Sequence, residues 1–286
     1  MHIISRCGWF FRLAASVFLS FFYDLFTQNS LRLFMHCDKI KEIANQVLEA
    51  IFMATVLKNI AVSDDFYLLK ASGKFDGKMG QFCMLRAWDE YPVLSRPISI
   101  FDCDDEGISF LYKVVGQGTE ILAQLKEGDD IDVQGPYGTG FPDVKGKIAL
   151  VGGGIGVAPL HLTAKVLKAA GNTVDMYLGF QSEALLKEDY EAVCDNLIIN
   201  IGGYVTDDIN PAEYDYILTC GPEIMMKVLY NKVKGTGAQL YVSMENRMGC
   251  GVGACLVCSC KTSGGNKKVC KDGPVFKAEE VFADEQ

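Results

Sequence analysis

The stretch that most constrains this chain lies near its C-terminal end: Glu245-Asn246-Arg247-Met248-Gly249-Cys250-Gly251-Val252-Gly253-Ala254-Cys255-Leu256-Val257-Cys258, with a further cysteine at Cys270. The spacing C-x4-C-x2-C followed by a distant fourth thiol is that of plant-type loops holding a [2Fe–2S] cluster on four thiolates. Two bridged irons need two pairs of thiolates, and a short loop can supply three only where its backbone turns tightly around the sulfides. Gly249, Gly251 and Gly253 allow that turn, since each can take positive φ and aim its N–H at an anionic centre that is costly to bury without donors. Structural zinc is the alternative. Zinc sites usually pair two short C-x2–4-C knuckles across a longer gap, whereas here three ligands crowd together and the fourth stands alone. A disulfide framework fits worse, because nothing around the motif resembles a small secreted domain. Cys260, two residues after Cys258, is left out of the ligand set because the pattern is complete without it.

The 286 residues suffice for two domains and a small appendage, and with 49% apolar residues both can build a core. A net charge of −9 argues against a nucleic-acid partner, which requires a basic surface. The 11 cysteines are an odd number, and Cys83, Cys103, Cys194 and Cys220 sit in apolar or strand-like contexts where free thiols behave as small hydrophobes. That usage predicts a reducing, cytoplasmic setting. The first 52 residues read differently. Their most apolar run, Leu13 to Tyr23, is shorter than the roughly 20 residues a bilayer span needs, so no stable membrane insertion is expected. A signal-peptide reading would separate the chain from nucleotide cofactors and reducing surroundings. Residues 1–52 are therefore expected to be an extension outside the functional core, either a mis-called start or, in the helical stretch 38–52, a partner-binding arm.

From Met53 to about residue 143 the pattern is of short strands broken by turns: Thr55–Ile60, Asp65–Lys70, Gln81–Ala87, Pro97–Phe101, Gly107–Val115 and Asp130–Gln134. This predicts an antiparallel barrel or sandwich rather than βαβ units. Two places in it carry chemistry. In Arg96-Pro97-Ile98-Ser99, proline fixes the backbone where the strand begins, arginine can fork onto a phosphate and serine can reach a ring nitrogen; an ordinary Arg-Pro turn explains the tetrapeptide equally well. In Leu111-Tyr112-Lys113-Val114-Val115-Gly116-Gln117-Gly118-Thr119, a strand runs through a glycine turn into a short helix capped by Thr119, whose free N–H groups offer an anion site; taken alone, an ordinary capped helix explains the segment better, and its pairing with Arg96 and the next tight turn is what points to a ligand. Gly135-Pro136-Tyr137-Gly138 is another tight turn, closing the barrel.

From Lys147 the periodicity changes. Ile148–Val151 is a buried strand, and Gly152-Gly153-Gly154-Ile155-Gly156-Val157-Ala158-Pro159-Leu160 opens a helix running to about Ala170, with glycines placed to let a pyrophosphate approach the helix start. Alternating strands and helices follow: Thr173–Leu178, Ala184–Cys194, Leu197–Ile201, Tyr214–Thr219, Glu223–Lys234 and Gln239–Ser243. Such alternation implies a parallel sheet covered by helices on both faces. Cys220-Gly221-Pro222 sits at a strand end, at the ligand edge of that sheet. The loop Gly179-Phe180-Gln181-Ser182-Glu183 contains no arginine or lysine for a 2′-phosphate, which favours NAD over NADP.

Together these motifs resemble the ferredoxin–NADP reductase superfamily, and the cysteine loop after the last strand resembles one branch of it, the electron-transfer subunits of NAD-dependent (class 1B) dihydroorotate dehydrogenases. The resemblance covers about residues 53–286. It implies an α+β multidomain chain: an antiparallel flavin-binding β-barrel over 53–143, an α/β parallel-sheet nucleotide-binding domain over 144–238, and a small [2Fe–2S] domain over 239–286. It also implies that Arg96, Pro97, Ile98, Ser99, Leu111, Tyr112, Lys113, Gly118 and Thr119 serve FAD. Gly153, Gly154 and Gly156, with Cys220, Gly221 and Pro222, would serve NAD as electron acceptor, and Cys250, Cys255, Cys258 and Cys270 would hold the cluster. The expected partner is an FMN-containing catalytic subunit, in a heterotetramer of two copies of each, acting in pyrimidine (UMP) biosynthesis. The only histidines, His2, His36 and His161, have no carboxylate or nucleophile motif beside them, so no catalytic residue is assigned and oxidation of dihydroorotate is left to the partner. Two rivals are a reductase subunit of a ferredoxin-dependent transhydrogenase or sulfide-linked oxidoreductase, and a zinc-stabilised nucleotide-binding module without catalytic function.

Overall fold

The computed structural model describes residues 51–283, apart from the side chains at 51 and 52. The expectations for residues 1–50 therefore lie outside the described residues. The first strand, β1 (Ile51–Ala61), begins upstream of the expected Thr55 and also upstream of the boundary drawn at 53.

Strands β2 (Phe66–Ser72), β3 (Phe82–Arg86), β4 (Arg96–Ser99), β5 (Asp102–Cys103) and β6 (Gly107–Lys113), helix α1 (Gln117–Gln124) and strand β7 (Asp130–Tyr137) complete the first region. Its seven strands form one antiparallel sheet in the order β4-β3-β7-β1-β2-β6-β5, rolled up so that β4 and β6 approach each other. The period-2 pattern explains the roll: along β7, Ile131, Val133 and Gly135 turn inward while Asp130, Asp132 and Gln134 turn away. Val56, Leu69, Leu85, Ile108, Phe110, Ile131 and Val133 fill the interior, each with no exposed surface. Burying each such side chain contributes about 1.5–3 kcal/mol.

The second region runs β8 (Lys147–Gly153), α2 (Ala158–Ala169), β9 (Thr173–Phe180), α3 (Lys187–Val193), β10 (Asn196–Ile201), β11 (Tyr216–Cys220), α4 (Glu223–Val233) and β12 (Gln239–Ser243). Strands β8 to β12 pair in parallel, in the order β10-β9-β8-β11-β12. On one face Ile148, Leu150, Met176 and Leu218 pack against Leu160, Ala164 and Leu167 of α2 and Tyr190 of α3. On the other face Ala149, Val151, Ile217 and Val242 pack against Met226 and Leu229 of α4. The chain moves outward from β8 in one direction and then crosses to β11 on its other side. The crevice at that reversal lies beyond the C-terminal ends of β8 and β11, where Gly152 and Cys220 are direct partners.

The third region holds the cysteine loop, the hairpin β13 (Ser259–Thr262) and β14 (Gly265–Lys268), α5 (Val269–Asp272), β15 (Val275–Lys277) and α6 (Ala278–Phe282). β12, assigned by sequence to the cluster domain, is a strand of the parallel sheet, and β15 returns to pair antiparallel with it. The cysteine segment is thus inserted between two strands of the parallel sheet, β12 and β15. The returning chain also meets the segment just past β7, where Thr139 N–H donates to Gly273 O at 2.6 Å, and the chain leaving β12, where Met244 N–H donates to Pro274 O at 2.9 Å.

Candidate functional site

A cleft of about 450 Å³ runs along β4 and β6, lined by Arg96, Pro97, Ile98, Ser99, Leu111, Tyr112, Lys113 and Thr119. Its far wall is Ser243 to Met248, the chain leaving β12 for the cysteines. Arg96 is held from two sides, donating to Leu94 O at 2.6 Å and lying 5.5 Å from the Trp88 ring centroid. Tyr112, 1% exposed, packs its ring against Tyr67 inside the barrel, so its side chain is chiefly core. The helix cap differs from expectation. Gly116 is the N-cap of α1, and Thr119 stands at the third helical position, its hydroxyl accepting from Val115 N–H (2.9 Å) and Gly116 N–H (3.2 Å) and donating to Gly116 O (2.8 Å). A glycine has no side chain to cap with, so the threonine reaches back instead. The N–H groups at the start of α1, including those of Gly118 and Thr119, have no partner within the helix.

A second cleft, about 680 Å³, opens at the crevice of the parallel sheet. Gly153, Gly154, Gly156, Gly221 and Pro222 form its floor. A single 3-10 turn, Gly154–Val157, precedes α2, so the regular helix starts at Ala158. Gly154 adopts φ +56°, and a Cβ on Gly156 would sit 2.5 Å from the Gly221 Cα. These two positions need glycine for different reasons, conformation at the first and close approach at the second. A third hollow, about 490 Å³, continues past Gly153 between Tyr204 on one side and Ile224 and Met225 on the other.

Lys113, Ile155 and Glu245 line both the first and the second cleft and so mark where they join. Lys113 pairs with Asp65 at 3.0 Å. Glu245 is an exposed residue bordering both clefts, and protein packed along one side partly desolvates its carboxyl. That burial pushes its pKa up, only partly offset by the Cys220 thiol, which donates to Oε1 at 3.6 Å. Cys220 itself lies behind the clefts, 1% exposed, its thiol raised far above the usual range by burial and by Glu245.

In the cysteine loop, Gly251 (φ +71°) sits on the barrel, a Cβ there standing 2.8 Å from Met84 Cγ. Gly253 (φ +80°) donates its N–H to Cys270 Sγ at 3.1 Å, Ala254 and Cys255 donate to Cys250 Sγ at 3.2 and 3.4 Å, and Cys270 N–H donates to Cys258 Sγ at 3.4 Å. Burial works against ionising Cys250, but the N–H groups of Cys255, Val252 and Ala254 and the Cys255 thiol outweigh it and bring Cys250 down to about 6. Burial, then Cys258, pushes Cys270 up to about 12. These contacts sort the thiols into two pairs, Cys250 with Cys255 and Cys258 with Cys270. Among the described residues no three His, Cys, Asp or Glu side chains converge on one ion position. Two thiol pairs within a nest of N–H donors fit a two-iron cluster better than one tetrahedral zinc. Cys258 and Cys270 are buried while Cys255 is exposed, so one pair faces inward and the other toward the surface.

Residues 245–282 match the family model of the iron–sulfur cluster binding domain of dihydroorotate dehydrogenase B. The electron transfer subunit of dihydroorotate dehydrogenase B (NAD+) from Clostridium acetobutylicum is 50% identical over 236 residues, covering 79% of this chain and 95% of that one. This chain belongs to that family. The corresponding subunit from Bacillus velezensis is 42% identical, over 79% of this chain and 97% of its own. Among solved structures, a chain of the NADH-dependent reduced ferredoxin–NADP oxidoreductase superposes with a TM-score of 0.75 at 31% identity, over 82% of this chain and 91% of that one. A ferredoxin NADP+ reductase from Neisseria gonorrhoeae with bound FAD and NADP shares the fold, with a TM-score of 0.55 at 17% identity over 69% and 95% of the two chains.

Against the residues expected for a family electron-transfer subunit, the structure brings the Arg96–Ser99 and Leu111–Lys113 segments and Thr119 into one cleft and the glycine turn with Gly221-Pro222 into the next. Gly118 lies behind Arg96, and Cys220 behind Glu245. Sequence reasoning gave no role to Glu245, Ile155 or Tyr204. Only Glu245 had a usable signal, a carboxylate directly preceding the cluster loop at the end of a strand.

Proposed function

We propose that this chain carries electrons from the FMN of a dihydroorotate dehydrogenase catalytic subunit, through a [2Fe–2S] cluster and FAD, to NAD+. The observation that carries this reading is the continuity of the site. Arg247 and Met248, leading into the cysteines, wall the first cleft, and Lys113 and Glu245 join that cleft to the glycine floor of the second.

Bound FAD would supply the step between two-electron hydride exchange and one-electron transfer to iron. The chain's own residues bind and orient. Arg96 and the α1 amides would hold the flavin pyrophosphate, with Pro97 and Ile98 shaping the wall and Ser99 offering a hydroxyl. Leu111 and Lys113 would lie along the ring system. The N–H groups of the 3-10 turn at Gly154, together with Gly221-Pro222, would hold NAD in the second cleft. Asp64, Asp65, Glu183 and Glu245 line the second cleft with Lys113 as its single cation, a balance that suits NAD and repels an added 2′-phosphate. Cys250, Cys255, Cys258 and Cys270 would hold the cluster. The partner subunit would supply the base that dihydroorotate oxidation needs.

The assembly would be a heterotetramer with two copies of each subunit, working in the cytoplasm in pyrimidine biosynthesis. The free cysteines among the described residues suit a reducing compartment, and no helix among them is long and apolar enough to cross a membrane. The rival reading, a reductase subunit serving another acceptor, is favoured by the 31% identity to the NADH-dependent reduced ferredoxin–NADP oxidoreductase chain. Copurification separates the two. An FMN-bearing TIM-barrel protein recovered with the tagged chain supports the proposal, and a large iron–sulfur flavoprotein in its place overturns it.

A further inference from the structure

Between Ser99, at the end of the first cleft, and Gly156, on the floor of the second, the two regions are fastened by a small group of side chains that no role above uses. Phe101, two residues past Ser99, stacks on His161 of α2 with ring centroids 4.2 Å apart and planes 13° from parallel. Tyr190 of α3 meets both rings edge-on, at 6.0 and 5.8 Å, and donates its hydroxyl to Val157 O at 3.0 Å. The Phe101 carbonyl accepts from Leu162 N–H at 2.9 Å and faces His161 Nδ1 at 3.3 Å. A carbonyl only accepts, so Nδ1 carries the proton there. At the rim of the contact, Lys165 Nζ bridges both oxygens of Asp102, at 2.7 and 3.0 Å.

We propose that Phe101 and Asp102 on the barrel, with His161 and Lys165 on α2, form a clasp that fixes the angle between the barrel and the nucleotide-binding sheet, and so sets the separation between flavin and nicotinamide. This rests on the reading of the two clefts given above. The reasoning is geometric. Domains within one chain move relative to each other unless their interface is large and apolar. Here the connection is made at points only a few residues from the flavin strand on one side and the phosphate turn on the other, so a rotation at the clasp passes directly to both. The Lys165–Asp102 pair has side chains 43% and 21% exposed, and a pair so open to solvent adds little to stability. What a two-point contact supplies is orientation. Stacked rings permit sliding and twisting, while a lysine bridging both carboxylate oxygens beside a main-chain hydrogen bond restricts them. These four are positioning residues, since none of them lines either cleft.

The test uses the full FAD-loaded chain and the variants Lys165→Met, Asp102→Asn and His161→Ala, with Lys165→Arg as the conservative control. Three quantities are read: hydrogen exchange at the Leu162 amide, the dissociation constant for NADH, and the rate of flavin bleaching at saturating NADH. Expected for Lys165→Met and Asp102→Asn are faster Leu162 exchange, a bleaching rate lower by about tenfold, in line with the cost of slight misplacement of reacting groups, and NADH affinity within about twofold of the parent. Lys165→Arg should restore the bleaching rate. A merely structural role would lower the melting temperature and leave the saturating rate unchanged, and that result overturns the proposal. So does unchanged Leu162 exchange, which is read whether or not NADH bleaches the flavin. Should His161→Ala fail to fold, the two rim variants still decide. A parent chain that retains no flavin, or whose flavin NADH does not bleach, counts against the assignment of the clefts instead.

Discussion

A methyl group on Gly118 would stand 2.7 Å from the Cζ of Arg96. The two residues lie on different elements, the start of α1 and the start of β4, and the absence of a side chain at one sets the position of the guanidinium at the other. Arg96 is drawn across that gap and steadied by Leu94 O and the Trp88 ring. Gly118→Ala should therefore displace Arg96 from the cleft without unfolding the barrel. Equilibrium dialysis should show flavin affinity reduced by at least about tenfold, equivalent to about 1.4 kcal/mol, with the melting temperature of the flavin-free chain nearly unchanged.

Gly253 combines φ +80° with a Lys271 side chain packed where its Cβ would stand, at 2.8 Å from Cδ. Its N–H also donates to Cys270 Sγ. Gly253→Ala should cost about 1–2 kcal/mol in the left-handed conformation and turn the donor away from the sulfur. The expected outcome is a cluster that forms in lower yield and has a more negative reduction potential, measured by redox titration followed by electron paramagnetic resonance.

Glu245 supplies a dependence on pH. Burial raises its folded pKa above the ordinary value of 4.5, so between 4.5 and the folded value the native state binds more protons than the unfolded chain. Stability must then fall as pH rises through that window. Glu245→Gln removes the effect, and the melting temperature of the variant relative to the parent should climb as pH is raised from about 4.5 toward neutrality. The same variant should slow flavin bleaching by NADH, because the carboxylate borders both clefts at their junction.

Much of this arrangement is legible in the sequence because it follows from local periodicity and spacing. Alternation along Asp130–Tyr137 makes a barrel strand, and apolar runs at Ile148–Val151 and Tyr216–Cys220 make buried parallel ones. Cysteine spacing alone separates three crowded thiols from a distant fourth. Residues whose role comes from topology were not legible. Glu245 reaches Cys220, 25 residues earlier, only because β11 and β12 pair in parallel with Cys220 opposite Ser243. The membership of β12 in the nucleotide-binding sheet was hidden for a related reason, as it depends on β15 returning after an insertion of about thirty residues, a long but tolerable loop. At α1 the cap was misplaced because a hydroxyl at the third helical position can reach back as readily as one at the cap can reach forward.

Away from the clefts, Tyr214 donates its hydroxyl to Asp175 Oδ2 at 2.9 Å and shares a 2.8 Å hydrogen bond with Tyr177. Tyr214→Phe leaves Asp175 and Tyr177 each short of a buried partner and should cost about 1–3 kcal/mol. Denaturant unfolding should register that loss, with NADH affinity unaffected.

Separation of the two redox roles is tested by Cys255→Ser. Reduction of an FMN-bearing partner should be abolished while NADH oxidation by two-electron dyes largely persists. Loss of both activities with flavin still bound would place the iron–sulfur centre on the route to dyes as well.

Counting the metal and flavin in anaerobically purified chain tests the whole most directly. About two iron atoms, about two acid-labile sulfides and about one flavin per polypeptide are expected. One zinc, or iron-free protein from material kept strictly without oxygen, would contradict it.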